Sequence, residues 1–485
     1  MTKELRRLSL ILLAMFLALF CSTSVIQVVQ ADTLAQNPAN KRALYDSFDV
    51  QRGSIIASGS AIASSVPSKD LYSWQRQYVD PQMWAPVTGY INPVLQSSTG
   101  IEQALNQQLS GTGSSQFLSR IERLVTGQPA RGSNVVLSLD AKVQKAAYDA
   151  LGKLQGAVIA IEPKTGRILA MVTTPSFDTN KLASHDPNAV NADYDKLLNT
   201  PTNPLYNRAI AGNLNPPGST FKLVVVSAAL ASGRFTPAST LPNPARYTLP
   251  GTSTPISNDT GGTCGPGKEV SIADALRLSC NIPMAQLAVK VGAQAIREEA
   301  EKYGFNSTFE LPLASTPSSY PRVLDDAQTA LTGFGQGKVT ATPLQMAMVS
   351  AGIANGGVLM KPRMVDQVVA PDLSVQQRFD SEEYGRVLDE DLNRELIQMM
   401  VANVSRGVAT NARIDGVDVG GKTGTAQNGD HAPFSLWFTG FAPAEDPQVA
   451  VAVVIENGGG VGQSGSGNTI AAPIARKVME AVLGK

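Results

Sequence analysis

The strongest constraint on this chain lies at its N-terminus. Lys3, Arg6 and Arg7 stand against Glu4, and no charged residue then appears from Leu8 through Ala31. As a helix rising about 1.5 Å per residue, such a run spans roughly 36 Å, enough for a hydrocarbon core of roughly 30 Å. The expectation is a cytoplasmic tail over 1–7, a transmembrane anchor over 8–31 and a chain that lies outside the plasma membrane after Asp32, with the basic flank inside. The protein would then be single-pass, its bulk extracytoplasmic. A cleaved signal is the alternative, because Val29-Gln30-Ala31 could serve as its cleavage site. Apolar residues continue through Val25, Ile26, Val28 and Val29, past the short core of a typical signal, which favours a retained anchor. Phe20 before Cys21 argues against a lipid-modified cysteine.

The remaining length, in a chain of 485 residues, allows two or three domains with full cores. Lys+Arg equals Asp+Glu at 40 each, without the basic excess that a nucleic-acid surface needs, so no nucleic-acid partner is expected. With 43% apolar residues the chain can bury enough surface to fold. Only two histidines are present, His185 and His431, which leaves little material for a His-based triad or a zinc centre. No metal and no cofactor are expected, and His185 reads as a loop residue.

Residues 32–132 are polar, Ser/Gln-rich and irregular, with a candidate strand at Ser54–Ala57 and a helical pattern near Ile101–Leu105. No titratable cluster stands out there, so a pedestal or dimerisation-type domain is expected. Residues 133–485 read differently. Asn134–Leu139 alternates as a strand, and Asp140 is placed to cap a helix over Ala141–Leu151. Ala157–Ile161 and Ile168–Met171-Val172 flank Pro163-Lys164-Thr165-Gly166 and predict an antiparallel hairpin. Helical stretches follow to about Ile353, an amphipathic segment covers Leu392–Val404, Val449–Ile455 is a strong strand, and Ile470–Leu483 closes as a helix. Strands at both ends with helices between imply an α+β fold, an antiparallel sheet flanked by helices.

Three short motifs carry the chemistry. Pro216-Pro217-Gly218-Ser219-Thr220-Phe221-Lys222 precedes an apolar helical run, which places Ser219 in a first helical turn, where free N–H groups favour developing negative charge. Lys222 follows three residues later on the same face. A serine hydroxyl needs a base, and a lysine in a dry pocket can be neutral enough to act as one. Ser and Lys at this spacing occur by chance in many helices. Here, however, Ser279-Cys280-Asn281 follows about sixty residues on, and Lys422-Thr423-Gly424-Thr425 later precedes a β-rich segment. A Ser-x-x-Lys, a Ser-x-Asn and a Lys-Thr-Gly in this order are the signature of class A β-lactamases and penicillin-binding proteins.

The resemblance extends beyond the trio. Tyr206-Asn207-Arg208-Ala209, Gly333-Phe334-Gly335-Gln336-Gly337, Thr342-Pro343-Leu344-Gln345 and Trp437–Pro443 resemble the transpeptidase domain of class B penicillin-binding proteins, from about Asn134 to the C-terminus. Gln51-Arg52-Gly53-Ser54-Ile55, with Ala85-Pro86-Val87-Thr88-Gly89, is similar to the short pedestal of the actinobacterial penicillin-binding protein A group. It departs from the commoner class B pattern, in which Asp-Arg-Asn-Gly soon follows the Arg-Gly; Ile56-Ala57-Ser58-Gly59 stands here instead.

The resemblance implies peptidoglycan D,D-transpeptidation in septal or elongation wall synthesis, with stem peptides as substrates and penicillins and other β-lactams as covalent inhibitors. It implies Ser219 as nucleophile, Lys222 as its base, Ser279 as a proton relay and Asn281 as a hydrogen-bonding partner of the substrate amide. Lys422, held cationic, with the hydroxyls of Thr423 and Thr425 would clamp the terminal carboxylate. Gly424 would let the strand approach the substrate, and the N–H groups of Ser219 and Thr425 would form the oxyanion hole. A glycosyltransferase partner of the division or elongation machinery would supply the glycan. D,D-carboxypeptidation and a non-catalytic β-lactam-binding scaffold or sensor remain alternatives. A β-lactamase would need a carboxylate after the second motif, and Leu311–Pro317 has none. Cys264 and Cys280, the cysteines outside the apolar segment, can bridge in an oxidising compartment or stay as buried thiols.

Overall fold

The computed structural model describes residues 2–30, 33–34, 48, 50–112, 131–212, 214–259 and 261–485. Helix α1 (Thr2–Ser24) and the π-turn Val25–Val29 that continues it form one apolar rod, long enough to cross a membrane and with none of its span buried in the protein.

The polar region after it contributes β1 (Ile55–Ala57), β2 (Ser60–Pro67) and β3 (Trp74–Tyr78), joined as an antiparallel meander. Its sheet is completed by distant chain. Strand β4 (Asn134–Leu137) pairs parallel with β1, while β7 (Val365–Val369) and β8 (Val375–Arg378) extend the sheet on the far side of β4, in the order β8-β7-β4-β1-β2-β3. A cut between residues 132 and 133 therefore runs through this sheet, because its strands come from both sides of that point.

The expectation that residues 32–132 lack a titratable cluster is corrected by the same region. Glu102, fully buried, accepts from Arg52 Nη2 at 2.8 Å and from Arg76 Nε at 2.6 Å. Arg52 Nη1 reaches Asn106 Oδ1 at 2.6 Å, and Arg76 Nη1 reaches Ser65 Oγ at 3.2 Å. Burial pushes the Glu102 carboxyl up, but the two guanidiniums outweigh it and hold the group below its usual range. Partners twenty-six and fifty positions apart give no local signal.

The second sheet is antiparallel throughout and runs β9-β10-β11-β5-β6: β9 (Gly420–Ala426), β10 (Ser435–Ala442), β11 (Val449–Ile455), β5 (Gly156–Ile161) and β6 (Ile168–Thr174). Helix α2 (Ala141–Leu151), capped by Asp140 as expected, packs with the closing helix α8 (Ala472–Leu483) on one face. Helix α6 (Pro343–Ala354), every residue buried, covers the other. With both faces covered, β10 and β11 are buried at every position, which is why β11 reads as a continuous apolar run rather than an alternating one. The helical layer beyond α6 is centred on α3 (Lys222–Ala231), apolar on all sides and buried except at its last residue, as an interior helix should be. Around it stand α4 (Ile272–Arg277), α5 (Asn281–Val291) and α7 (Glu390–Arg406). The stretch between α3 and α4 holds short hairpins, Arg246–Thr248 with Pro255–Ser257 and Thr240–Pro242 with Glu269–Ser271. One apolar core runs unbroken from Ile55, Trp84 and Ile101 to Phe221, Met346 and Trp437, so the two sheets are parts of one packed body.

Candidate active site

The turn that carries Ser219 is held by close backbone contacts. Residues Gly218–Phe221 form a 3-10 turn ahead of α3, so Ser219 lies just outside the α-helix rather than in its first turn. Gly218 N donates to Gly335 O at 3.0 Å, and a Cβ on Gly335, itself at φ +72°, would sit 1.9 Å from Gly218 O. From the sheet side, Trp437 Nε1 donates to Pro216 O at 3.0 Å. A Cβ on Gly424 would lie 2.8 Å from Pro217 O. Gly424 is thus needed first for the approach of the serine turn to β9, a reason that differs from the one the sequence suggested. The Gly335 segment and Trp437 matter for the same cause: both brace the turn.

Both lysines are fully buried and meet at Ser279. Lys222 Nζ donates to Ser279 O at 2.7 Å and to Asn281 Oδ1 at 2.8 Å, with Ser279 Oγ at 3.4 Å. Lys422 Nζ donates to Ser279 Oγ at 2.8 Å and to Thr423 O at 2.9 Å. Ser279 reaches both because it adopts a left-handed conformation, φ +59°, at the junction of α4 and α5. The Lys222 amine is hydrogen-bonded to the second motif rather than to Ser219, whose hydroxyl makes no hydrogen bond among the described residues. Thr423 is buried, and the Thr425 hydroxyl accepts from Gly467 N at 3.3 Å.

Burial, then the neighbouring Lys422 charge, lower Lys222 well below the usual lysine value. Burial also lowers Lys422, to about 7, against an opposing pull from Asp259. The expectation of a cationic Lys422 thus meets an opposing effect of burial, because no carboxylate touches its amine among the described residues. A bound substrate carboxylate would raise it again.

Three features of the site escaped sequence reasoning. Asn258 Oδ1 accepts from Asn281 N at 2.9 Å and Ile282 N at 3.0 Å, capping α5 from a remote loop where its own N-cap, Cys280, cannot. Asp259 Oδ1 accepts from Asn281 Nδ2 at 2.8 Å. Arg208 Nε pairs with Glu456 Oε2 at 3.0 Å in the interior, tying the Tyr206–Ala209 segment to the end of β11. The two cysteines are joined as a disulfide, Cα atoms 5.6 Å apart, which fastens the Asn258 loop to the Ser279–Asn281 turn. Leu311–Pro317 has no carboxylate, and its backbone is held against Ile210 and Met364. Among the described residues no cluster of side chains could hold a metal ion.

Residues 156–480 match the family model of the penicillin binding protein transpeptidase domain. The chain belongs to the class B penicillin-binding proteins. Residues 52–135 of this penicillin-binding protein match the penicillin binding protein A dimerisation domain. It is 37% identical to the peptidoglycan D,D-transpeptidase PbpA of Mycobacterium tuberculosis H37Rv over 497 residues, covering 100% of this chain and 99% of that one. It is 30% identical to the peptidoglycan D,D-transpeptidase MrdA of Haemophilus influenzae, across 81% of this chain and 61% of the other. Among solved structures it is similar to the ceftriaxone acyl-enzyme complex of penicillin-binding protein A from M. tuberculosis, with a TM-score of 0.87 and 38% identity over 91% of this chain and 100% of that one. The penicillin G acyl-enzyme complex of the same protein gives a TM-score of 0.85.

Proposed function

We propose that this penicillin-binding protein is a peptidoglycan D,D-transpeptidase that cross-links stem peptides through an acyl-enzyme on Ser219 and is inhibited when a β-lactam acylates the same serine. The observation that carries the reading is the pair of buried amines meeting at Ser279. A neutral amine has two N–H bonds and one lone pair. Lys222 spends its N–H groups on Ser279 O and Asn281 Oδ1, which leaves the lone pair for the Ser219 proton. Deep burial, then the neighbouring Lys422 charge, lower the amine well below the usual lysine value and so favour that neutral form.

In the first half-reaction Ser219 Oγ attacks the carbonyl carbon of the penultimate D-Ala and its proton passes to Lys222. The oxyanion is held by the N–H groups of Ser219 and Thr425, a contribution of about 3 kcal/mol for one such donor. Ser279, hydrogen-bonded to Lys422 and near Lys222, relays a proton to the leaving nitrogen, and the terminal D-Ala departs. Asn281 contacts the substrate amide, and Lys422 with Thr423 and Thr425 holds the terminal carboxylate. In the second half an amine of another stem peptide attacks the ester carbonyl, loses its proton to the same base and frees Ser219 as the new amide forms. The absence of a carboxylate in Leu311–Pro317 supports a long-lived ester awaiting that amine.

The apolar rod Lys3–Val29 anchors the protein in the membrane. We assign it a single pass with residues 1–7 inside, the catalytic region outside, and residues 32–132 as the core of a pedestal for a glycosyltransferase partner. The test is incubation of the full chain in detergent with a fluorescent penicillin, and separately with a stem-peptide thioester plus an amine acceptor. A penicilloyl adduct on the Ser219 peptide, absent in Ser219→Ala, and an amide product are expected. No adduct would favour an idle scaffold, hydrolysis alone a carboxypeptidase, and rapid turnover of a chromogenic cephalosporin a β-lactamase; each overturns the proposal.

A further inference from the structure

The acidic group nearest the two lysines has no place in the three motifs. Asp259 is exposed at the rim of the site, with Oδ1 2.8 Å from Asn281 Nδ2. Its position is built. The preceding Asn258 accepts from two N–H groups at the start of α5 and donates to Gly262 O at 2.9 Å. Beyond it, Cys264 is bonded to Cys280 and its N–H donates to Asn243 Oδ1 at 2.8 Å. The loop thus carries Asp259 to the outer side of Asn281 while Lys222 occupies the inner side.

A carboxylate only accepts hydrogen bonds, so it fixes the Asn281 amide with its NH2 outward and its oxygen toward Lys222. That orientation matters most when Lys222 is neutral. A neutral amine can donate or accept toward an amide, and had Asn281 turned its NH2 inward, the lone pair intended for Ser219 would be consumed. Asp259 is also the one carboxylate whose charge is felt by both lysines, favouring their protonated forms. The other charged group beside the turn, Arg277 on α4, is engaged by Asp274 and by Arg406 O at the end of α7, and α3 and β9 bring only Lys222 and Lys422.

We propose that Asp259 is a positioning residue for acylation: it locks the Asn281 amide so that the Lys222 lone pair stays directed at Ser219, and it supplies the counter-charge for the buried lysine pair. This rests on the reading of Ser219 and Lys222 given above.

The experiment is the rate of Ser219 acylation by penicillin against pH, measured on the full chain in detergent for wild type, Asp259→Asn and Asp259→Ala. In wild type the acid limb follows loss of the Lys222 proton and the alkaline limb loss of the Lys422 proton. Removing the negative charge lowers both lysine pKa values, so both limbs move to lower pH, by roughly half a unit for an exposed carboxylate. Asp259→Asn keeps an acceptor for Asn281 and should shift the limbs with little loss of maximum rate. Asp259→Ala should shift them equally and lose about tenfold in maximum rate, the order expected for a supporting contact one shell out. Limbs that stay in place in both variants overturn the proposal, whatever the height of the profile. Equal maxima in the two variants overturn the amide lock. A wild-type enzyme that is not acylated instead refutes the reading of Ser219 itself.

Discussion

Two groups of buried charge sit in one molecule and are built on opposite rules. Beside the N-terminal sheet, Glu102 receives Arg52 and Arg76 directly, so burial is offset by contact and the carboxylate stays ionised. At the candidate active site, two lysines are buried as completely, yet their hydrogen bonds go to hydroxyl, amide and carbonyl oxygens, and the nearest carboxylate stands one residue away at the rim. The first arrangement makes charge permanent and the second makes it easy to remove. Structure needs a charge that stays; acid–base catalysis needs one that comes and goes.

The contrast is broken most severely by Lys222→Arg, because a guanidinium cannot give up its proton. Penicillin acylation should fall by about 10³-fold, the scale of a lost general base. Stopped-flow labelling would reveal this, and a near-normal rate would mean that Lys222 need not be neutral. Next in size is Glu102→Gln, which leaves two buried guanidiniums without a counter-charge and should cost about 3 kcal/mol of stability. Denaturant unfolding would measure it, while acylation per folded molecule should stay as in wild type.

The pH dependences should differ in sign. Glu102 is held below its free value, so its stabilisation is complete above about pH 4.3 and is lost as pH falls through the folded pKa. Lys422 is lowered to about 7, so between that pH and the usual lysine value of about 10.4 the unfolded chain binds more protons, and stability rises with pH. Over the same range its hold on a β-lactam carboxylate should weaken by up to about tenfold per unit, the slope of one titrating proton. Unfolding curves and inhibitor-concentration series from pH 3 to 10 would separate the two. The smallest effect belongs to an exposed pair outside both groups: breaking Lys164–Asp446 with Lys164→Ala should move stability by no more than about 0.5 kcal/mol.

How far the molecule was legible follows from how local its determinants are. The hairpin of β5 and β6, the Asp140 cap and the all-apolar β11 are written in consecutive residues, and the structure has them where the pattern placed them. The three motifs were legible for the same reason. What was hidden involves residues far apart: Arg52 with Glu102, Asn258 with the start of α5, Asp259 with Asn281, and β4 with β7 across more than two hundred residues. Asp259 in particular looks like an ordinary turn residue until a hairpin and a disulfide carry it to the site. The lowered pKa of Lys422 was hidden because it depends on burial, and the Lys-Thr-Gly pattern says nothing of how much water surrounds the amine.

The strands β7 and β8 have a mechanical consequence. A catalytic region joined to the N-terminal sheet by one linker would swivel freely against it. Here the polypeptide returns to the N-terminal sheet twice after leaving it, at Asn134–Leu137 and at Val365–Arg378, so several covalent crossings resist twisting. The two sheets therefore move as one packed body, and Ser219 keeps a set heading relative to the N-terminal sheet.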